Sequence, residues 1–565
     1  MKKTISPIPV IALCCALIIQ FACSVAAAKV KFATHGMVSS TYPLATEAGL
    51  NILKSGGNAI DAAVTVGLTL GVVDGHNSGI GGGCFMLIRL ADGRCVAIDG
   101  REKAPAAATR DMFVREGKAD PTLSQTGALA SGVPGEIAAF DYAVKNFGKK
   151  NFGELFTPGA KIAEDGFALK EIYANRLKAN DGDLAKFEDS RRIFFKDGKL
   201  LKAGDILKQP DLAKTYRALA EQGSDWFYRG PFALAVETWM KSHGGIMTAK
   251  DLADYRIALR EPVSTDYRGF KIVTFAPPSS GGVHLLEMLN TLENFDLKRM
   301  DESTRLHVIA ETMKLAFADR AHWLGDPDFV KVPRGLITKS YAATLAKKIN
   351  PNHVMEYPEY GTPPAAATDF FADKHTTHFS VCDADGNWVA CTCTVNTGFG
   401  SKVVVPGTGV LLNDQMDDFS AQAGVPNHFG LVGADANAVA PGKRPLSSMT
   451  PTIVLKDGRP IIAIGAAGGP KIISTVLLEL VELLDLGRTP AEAVAAPRIH
   501  HQWAPDQLMV EGALAADVKK SLAARGQKVT VVKLGSTSHI VALGADEKTF
   551  VGAADPRAGG TAEGW

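Results

Sequence analysis

The strongest indication of the fold comes from residues 373–400, which read DKHTTHFSVCDADGNWVACTCTVNTGFG. Two segments rich in alternating β-branched and aromatic residues, 377–383 and 388–395, flank the turn sequence DGN at 385–387. This pattern predicts a β-hairpin. Directly before it, residues 358–367 are rich in proline, glycine and alanine, which predicts an exposed, pliable linker. The sequence therefore places a linker-to-strand junction just ahead of the hairpin.

Thr376 stands at that junction. A lone threonine in a strand is ordinarily a β-former whose hydroxyl satisfies a local hydrogen bond. Here, however, the peptide bond after His375 would be exposed to attack by the hydroxyl that follows it. A threonine hydroxyl needs a base to remove its proton, and a free α-amino group on the same residue, with a pKa of roughly 8, meets that need. Thr376 is thus a candidate N-terminal nucleophile.

The rest of the chain predicts helical and strand segments in alternation. Residues 44–73 have a helical pattern that Gly56-Gly57 divides into two helices. Further hairpins are predicted around the turns at 91–93 and 457–458, and a helix at 470–487 follows the second of these. Helices at the front, antiparallel strands on both sides of a linker and a helix behind them suggest sheets sandwiched between helical layers.

Bulk composition indicates a globular protein. Hydrophobic residues make up 46% of the 565, and 61 Lys and Arg balance 60 Asp and Glu. This balance is typical of a soluble fold and gives no support to a nucleic-acid partner. A chain of this length forms either two ordinary domains or one large layered fold, so length leaves the domain count open.

The N-terminus has the anatomy of a secretory signal peptide. Lys2 and Lys3 precede an apolar run at 8–21 and a small-residue segment at 24–28. We expect cleavage after Ala28, which predicts a periplasmic or secreted protein without stable membrane association. An uncleaved membrane anchor is the alternative, because the apolar run and the small residues together are just long enough to span a bilayer.

The cysteines do not form an even set in the mature chain. Of eight cysteines, three lie in the predicted signal peptide, so five remain and at least one stays unpaired within the chain. Cys391 and Cys393 are two residues apart in an alternating segment and therefore lie on one face of the predicted strand, where packing is the expected role.

Two other motifs argue against a cofactor or a metal ion. GIGGG at 79–83 precedes a strand rather than a helix and lacks a following Lys-Ser/Thr, so a phosphate-binding loop is not expected. His500 and His501 are adjacent, which points their side chains apart on regular structure. We therefore expect neither a metal nor an organic cofactor.

Several motifs in fixed order carry a resemblance to one family, and such a series is more specific than any single motif. In the second half they are TTHFSV (376–381), LLNDQMDDFS (411–420), KRPLSSMTPTIV (443–454), GAAGG (465–469) and ADPR (554–557). In the first half they are GNAIDAAVTVGLTLGVV (57–73), SGIGGGCFMLIR (78–89), IDGREKAPAAATRDMF (98–113) and APPSSGG (276–282). The chain resembles the γ-glutamyltranspeptidases from about residue 33 to its C-terminus.

The resemblance implies an α/β layered fold, the αββα sandwich of the N-terminal-nucleophile hydrolases. It also implies a precursor that cuts itself between His375 and Thr376. After the signal peptide, 1–28, this gives a large subunit, 29–375, and a small catalytic subunit, 376–565, which stay together as a heterodimer. The implied activity is γ-glutamyl transfer from glutathione and other γ-glutamyl amides to amino acids, peptides or water, through an ester on Thr376.

The resemblance further assigns a donor-binding site. Arg101, in DGREKAP, would bind the donor α-carboxylate, and Asp418, the second aspartate of MDDFS, would pair with the α-ammonium. A surface ion pair of Arg101 with Glu102 and a solvated or helix-capping Asp418 are the ordinary alternatives. The remaining donor-site residues that the resemblance implies are Asn396, Gln415, Ser447 and Ser448.

Catalytic support and a lid are assigned in the same way. Gly468 and Gly469 would present backbone N–H groups to the oxyanion, and Thr394 would orient the nucleophile. Relatives often carry Gly-Ser-Pro before the glycine pair, where this chain has Gly-Ala-Ala at 465–467. Phe429 falls where bacterial relatives often carry a tyrosine that latches a lid, so we expect Phe429 to cover the pocket without a latch.

Two other functions remain open. An acylase of the same fold would remove glutaryl side chains from cephalosporin-type amides, and its donor lacks the α-amino group that Asp418 would bind. A non-catalytic binding protein would leave Thr376 within an uncut chain.

Overall fold

The computed structural model describes residues 28–364 and 378–565. The predicted signal peptide, apart from Ala28, and the predicted cleavage site at His375 and Thr376 lie outside the described residues. The segment 358–364, the described part of the predicted linker, has no helix or strand. Two indole N–H groups hold it, since Trp503 donates to the carbonyl of Pro358 and Trp323 to that of Gly361.

The strands of the described chain, in order, are β1 (Lys29–Ala33), β2 (Gly36–Ser40), β3 (Gly83–Arg89), β4 (Cys95–Gly100), β5 (Val114–Arg115), β6 (Lys118–Ala119), β7 (Phe167–Ala168), β8 (Phe195–Lys196), β9 (Lys199–Leu200), β10 (Ile206–Leu207), β11 (Ala258–Arg260), β12 (Val263–Tyr267), β13 (Phe270–Thr274), β14 (His378–Asp383), β15 (Trp388–Thr394), β16 (Thr452–Lys456), β17 (Arg459–Ala467), β18 (Ile499–His500), β19 (Leu508–Glu511), β20 (Val529–Val532), β21 (Thr537–Leu543), β22 (Phe550–Ala554) and β23 (Thr561–Gly564).

The α-helices are α1 (Pro43–Lys54), α2 (Ala59–Val73), α3 (Pro121–Gln125), α4 (Glu136–Phe147), α5 (Thr157–Asp165), α6 (Glu171–Ala179), α7 (Asp181–Leu184), α8 (Glu188–Phe194), α9 (Pro210–Gln222), α10 (Ser224–Tyr228), α11 (Pro231–Ser242), α12 (Ala249–Ala253), α13 (Ser280–Leu292), α14 (Glu302–Trp323), α15 (Lys339–Ala346), α16 (Lys471–Leu480), α17 (Pro490–Ala495) and α18 (Ala516–Ala524). Short 3-10 turns lie at Ala128–Ala130, Phe152–Phe156, Arg334–Ile337, Gln415–Asp418 and Asp435–Asn437, and a π turn at Val481–Asp485 extends α16.

Two antiparallel sheets of seven strands form the centre of the protein. The first sheet has the strand order β1-β22-β21-β17-β16-β13-β12, and the second has the order β11-β4-β3-β15-β14-β2-β23. The predicted hairpin around 385–387 is confirmed as β14 and β15, in which His378 pairs with Thr392 and Cys382 with Trp388. The hairpins predicted at 91–93 and 457–458 are likewise present as β3-β4 and β16-β17.

The sheets pack face to face, with β14 and β15 against β17 and β21. Between them lies a layer of buried side chains in which the rings of Phe85 and Phe275 stack at 4.5 Å. Helices α1, α2 and α4 cover the outer face of the second sheet, and α13, α14 and α16 cover that of the first. The predicted αββα sandwich is thus observed.

The helix break predicted at Gly56-Gly57 is also observed. Helix α1 ends at Lys54, and Gly56 adopts a positive φ of 89°. Asn58 then caps α2, because its side-chain oxygen accepts hydrogen bonds from the backbone N–H groups of Ile60 and Asp61. Within the described ranges, no helix is both long and apolar enough to span a bilayer.

The chain segments before and after the predicted cleavage site are interleaved in both sheets. Strands β2 and β3 pair with β14 and β15 in the second sheet, and β13 and β1 pair with β16 and β22 in the first. Each sheet therefore depends on hydrogen-bonded ladders between the two segments.

Candidate active site

Arg101 follows directly after β4, and its side chain is fully buried. Its backbone is fixed on both sides: Asp99 Oδ1 accepts from its N–H at 3.0 Å, and the hydroxyl of Tyr255 donates to its carbonyl at 2.6 Å. Its Nη1 lies 3.3 Å from Glu102 Oε2, and Glu102 is buried as well. The ion pair with Glu102 is therefore present, but it is buried rather than at the surface as the ordinary alternative had it.

The guanidinium of Arg101 meets Asp418 across 317 positions of sequence. Arg101 Nη2 donates to Asp418 Oδ2 at 2.8 Å, while Arg101 Nε has no hydrogen-bond partner among the described residues. Gln415 Nε2 donates to the same Asp418 oxygen at 2.6 Å, within one 3-10 turn. Burial raises the pKa of the Asp418 carboxyl, and the charge of Arg101 opposes that rise. Arg101 and Asp418 are thus a cation and an anion in direct contact, and both side chains are buried.

The neighbouring Asp417 has different partners. Its Oδ1 accepts from Ser124 Oγ at 2.6 Å and from Gln125 Nε2 at 3.2 Å, and its Oδ2 accepts from the backbone N–H of His428 at 3.0 Å. Asp417 thus ties the loop that carries His428 to the turn, whereas Asp418 faces Arg101. Because its carboxylate is buried and held, the solvated or helix-capping alternative for Asp418 is wrong.

Asn396 and Thr394 form the end of the strand that leads into this site. Thr394 is the last residue of β15, and its hydroxyl accepts from the backbone N–H of Asn396 at 2.7 Å. Asn396 has a positive φ of 80°, which turns the chain sharply, and its side-chain amide donates to the carbonyl of Asp414 at 3.0 Å. The turn places Asn396 beside the segment that carries Gln415 and Asp418.

Ser447 and Ser448 are both fully buried. The backbone N–H of Ser447 donates to the carbonyl of Pro278 at 2.9 Å, and its Oγ accepts from the N–H of Met449 at 3.2 Å. The hydroxyl of Ser280, at the start of α13, donates to the carbonyl of Ser447. Ser447 is thus held against the APPSSGG segment.

Arg320 is a buried cation that the sequence analysis did not select. It lies on α14, and its Nε donates to Ser280 Oγ at 3.0 Å. Burial lowers the pKa of Arg320 to about 10, and the carboxylate of Asp418 opposes the shift. Arg320 is therefore a second guanidinium, after Arg101, that interacts electrostatically with Asp418. The sequence around Arg320 gives no signal of this role, because only tertiary packing brings α14 next to Ser280 and Asp418.

The glycine pair lies between β17 and α16. Gly468 and Gly469 have positive φ values of 138° and 60°, conformations that favour glycine. A Cβ on Gly468 would lie 2.7 Å from the Cβ of Ser536, so its surroundings also exclude a side chain. The Gly-Ala-Ala departure alters little here, because Ala466 and Ala467 continue β17 and pair with Ser538 and Thr537.

Phe429 packs against Gly469, the second glycine of the pair. A Cβ on Gly469 would lie 2.8 Å from Cδ1 of Phe429, so the ring is packed against that glycine. The backbone of Phe429 is fixed because its N–H donates to Asn427 Oδ1 at 3.0 Å and its carbonyl accepts from Gln502 Nε2 at 3.2 Å. The ring has the position expected of a lid, and its role as one remains a prediction.

The sheet packing brings the glycine pair towards the start of β14. A Cβ on Gly465 would lie 2.4 Å from Nδ1 of His378, so β17 and β14 touch at that point. His378 is two residues after Thr376, which lies outside the described residues. The structure thus brings the predicted oxyanion glycines and the entry of the predicted nucleophile strand to one end of the sandwich.

Comparison with known proteins gives similarity over nearly the whole chain. The profile of the family described as Gamma-glutamyltranspeptidase matches residues 45–565. The glutathione hydrolase proenzyme of Escherichia coli (strain K12) is 47% identical over 531 residues, which cover 93% of this chain and 91% of that protein.

Two solved structures agree with the fold. The cephalosporin acylase from Bacillus halodurans superimposes with a TM-score of 0.85 at 30% identity and covers 95% of this chain and 97% of its own. The γ-glutamyltranspeptidase of Helicobacter pylori superimposes with a TM-score of 0.55 at 44% identity and covers 56% of this chain and 92% of its own. With the αββα architecture and the matching family profile, the resemblance seen in the sequence is confirmed: the chain belongs to the γ-glutamyltranspeptidase family of N-terminal-nucleophile hydrolases.

Proposed function

We propose that the chain is a γ-glutamyltransferase and glutathione hydrolase that acts through a γ-glutamyl ester on Thr376. The observation that carries this proposal is the buried contact of Arg101 with Asp418 at 2.8 Å. A γ-glutamyl donor has a carboxylate and an ammonium on one carbon. A planar guanidinium suits the carboxylate and an aspartate suits the ammonium, so the pair is matched to that zwitterion.

The strand register supports Thr376 as the nucleophile. His378 pairs with Thr392 across β14 and β15. Thr394 lies two residues after Thr392 on β15, just as Thr376 lies two residues before His378 in the sequence. The Thr394 hydroxyl accepts from the Asn396 backbone N–H and has a second lone pair and a proton for the nucleophile.

Maturation makes the base that catalysis needs. The Thr376 hydroxyl attacks the carbonyl carbon of His375, the His375–Thr376 amide becomes an ester, and water hydrolyses that ester to leave a free α-amino group on Thr376. The interleaved ladders of both sheets support a heterodimer of the segments 29–375 and 376–565 after the cut.

In the reaction, the α-amino group takes the proton of the Thr376 hydroxyl, whose oxygen attacks the γ-carbonyl of the donor. The N–H groups of Gly468 and Gly469 would stabilise the resulting oxyanion. The leaving amine departs with the proton. Water or the amine of an amino acid or peptide then attacks the ester and releases glutamate or a new γ-glutamyl amide. Ser447 and Ser448 would add hydroxyl donors to the donor carboxylate.

A glutaryl or cephalosporin-type acylase is the second candidate. The full-length superposition on the cephalosporin acylase from Bacillus halodurans is the observation that favours it. A glutaryl donor has no ammonium, so it would leave Asp418 without its substrate partner. We therefore place γ-glutamyl compounds first, and we propose a periplasmic or secreted location because of the predicted signal peptide.

The test pairs two adjacent threonines. Thr376→Ala should remain a single chain on a denaturing gel and lack γ-glutamyl anilide hydrolysis. The matched control, Thr377→Ala, removes a neighbouring hydroxyl and should still yield two subunits. N-terminal sequencing of the small subunit should begin at Thr376. Cleavage of Thr376→Ala at the same bond, or an uncut but active native chain, would refute the proposal.

A further inference from the structure

Three cysteines from two adjacent strands meet on the outer face of the second sheet. Cys84 on β3 pairs directly with Cys393 on β15, and Cys391 lies two residues before Cys393 on the same face. All three side chains are fully buried, and their sulfur atoms lie within 4.8 Å of one another. The prediction that Cys391 and Cys393 serve only in packing did not include Cys84, which adds a third thiol to the group.

A buried carboxyl group adjoins the sulfur cluster. Glu136 is the first residue of α4 and is fully buried, and its carboxyl group contacts the thiol of Cys393. Burial raises its pKa well above the usual range, Cys84 adds to the rise, and a contact with the Cys393 thiol opposes it. A buried carboxyl group is costly unless it is paired, and here its neighbours include the thiols of Cys84 and Cys393.

The spacing of the Cys391 and Cys393 sulfur atoms is compatible with shared ligation of one metal ion. A tetrahedral zinc ion with Zn–S bonds of about 2.3 Å separates two thiolates by about 3.8 Å. The Sγ atoms of Cys391 and Cys393 lie 3.9 Å apart. A disulfide requires an S–S distance of about 2.05 Å, and all three cysteines are free thiols.

We propose that Cys84, Cys391, Cys393 and Glu136 form a buried structural site for a thiophilic cation, with Zn²⁺ as the expected ion. The three sulfur atoms already lie within 4.8 Å of one another, and the carboxyl group of Glu136, which contacts Cys393, would turn towards the ion to supply the fourth ligand of a closed, structural zinc site. The three thiols and the Glu136 carboxyl group release four protons to solvent when the ion binds, because zinc is bound by thiolates and a carboxylate. Because Cys393 directly precedes Thr394, the ion would also brace the strand that borders the active site.

The first test measures metal content in the full chain. Protein without an affinity tag is produced in zinc-supplemented medium, passed over a chelating resin and assayed by mass spectrometry of the metal. We expect one zinc per chain in the native protein and its loss in Cys391→Ser and Cys84→Ser. The matched control, Cys382→Ser, alters a buried cysteine of β14 that faces the layer between the sheets, and it should keep the zinc.

A second measurement guards against variants that fold poorly. Glu136→Gln keeps the size of the side chain but removes its charge, so it should fold and bind zinc less tightly. Zinc should raise the unfolding temperature of refolded native protein and of Cys382→Ser, and have no such effect on Cys391→Ser. Native protein without zinc, equal zinc in Cys391→Ser and native protein, or a disulfide among the three cysteines would each overturn the proposal.

Discussion

Replacement of Asp418 by asparagine is the sharpest probe of the donor site. Asp418→Asn keeps the shape of the side chain and removes the charge that would meet the donor ammonium. In the structure the lost charge is only 4% exposed and accepts hydrogen bonds from Arg101 and Gln415. Solvent therefore screens the Asp418 charge little. Removal of this charge should reduce donor binding by nearly its full interaction energy with the donor ammonium.

The magnitude follows from that burial. Removing one partner of a buried, hydrogen-bonded charge pair costs about 2–5 kcal/mol. At about 1.4 kcal/mol for each factor of ten, kcat/KM for a γ-glutamyl donor should fall by about 30-fold to 3,000-fold. A glutaryl donor has no ammonium, so Asp418→Asn removes from it only the indirect support that Asp418 gives to Arg101. The fall in kcat/KM for the glutaryl donor should therefore be much smaller.

The assay compares γ-glutamyl and glutaryl anilides on both proteins. The native enzyme should prefer the γ-glutamyl anilide, and Asp418→Asn should narrow that preference. Asp417→Asn is the matched control, because the adjacent carboxylate binds Ser124 and the loop of His428 rather than Arg101; it should change both donors alike. Equal use of the two anilides by the native enzyme, or an equal loss on both in Asp418→Asn, would refute the γ-glutamyl assignment and favour the acylase.

The lid and the oxyanion turn give two more predictions. Phe429→Tyr adds a hydroxyl to the ring packed on Gly469 and should tighten donor binding or slow product release without affecting self-cleavage; unchanged steady-state constants would remove the lid argument. Gly469→Ala places a Cβ 2.8 Å from that ring at a φ of 60° and should lower kcat by about a hundredfold or more. Its control is Gly487→Ala, which has a similar φ of 67° in open space and should leave kcat unchanged; equal effects would assign the loss to backbone strain alone.

The hairpins and helix breaks were predictable because their signals are local. Alternation in 377–383 and 388–395 and the turn at 385–387 specify β14 and β15 to within one residue at each end. The break at Gly56-Gly57 is a similar case, since a positive φ and a capping asparagine end one helix and begin the next. The order of the strands in the sheets was not predictable from these signals, because it depends on pairing between distant segments.

The same distinction holds within the site. Arg101 and Asp418 were selected because each lies in a recognisable motif, but the 2.8 Å contact between them is a tertiary result. Arg320 was missed because it lies within a long buried helix. Only its tertiary contacts with Ser280 and Asp418 connect it to the site. Glu136 was missed because only tertiary packing brings the start of α4 beside the three cysteines.

The separation of the nucleophile strand from the oxyanion turn is set by the packing of the two sheets. Strand β14 belongs to the second sheet, whereas Gly468 follows β17 of the first. The sheets touch where His378 lies against Gly465, and a Cβ on Gly465 would come within 2.4 Å of the imidazole. Because both residues are near the ends of their strands, a side chain at 465 would push β14 from β17 next to the site. We therefore expect a side chain at 465 to disturb the active-site geometry, because the sheets approach closely there and not because of the backbone conformation of Gly465.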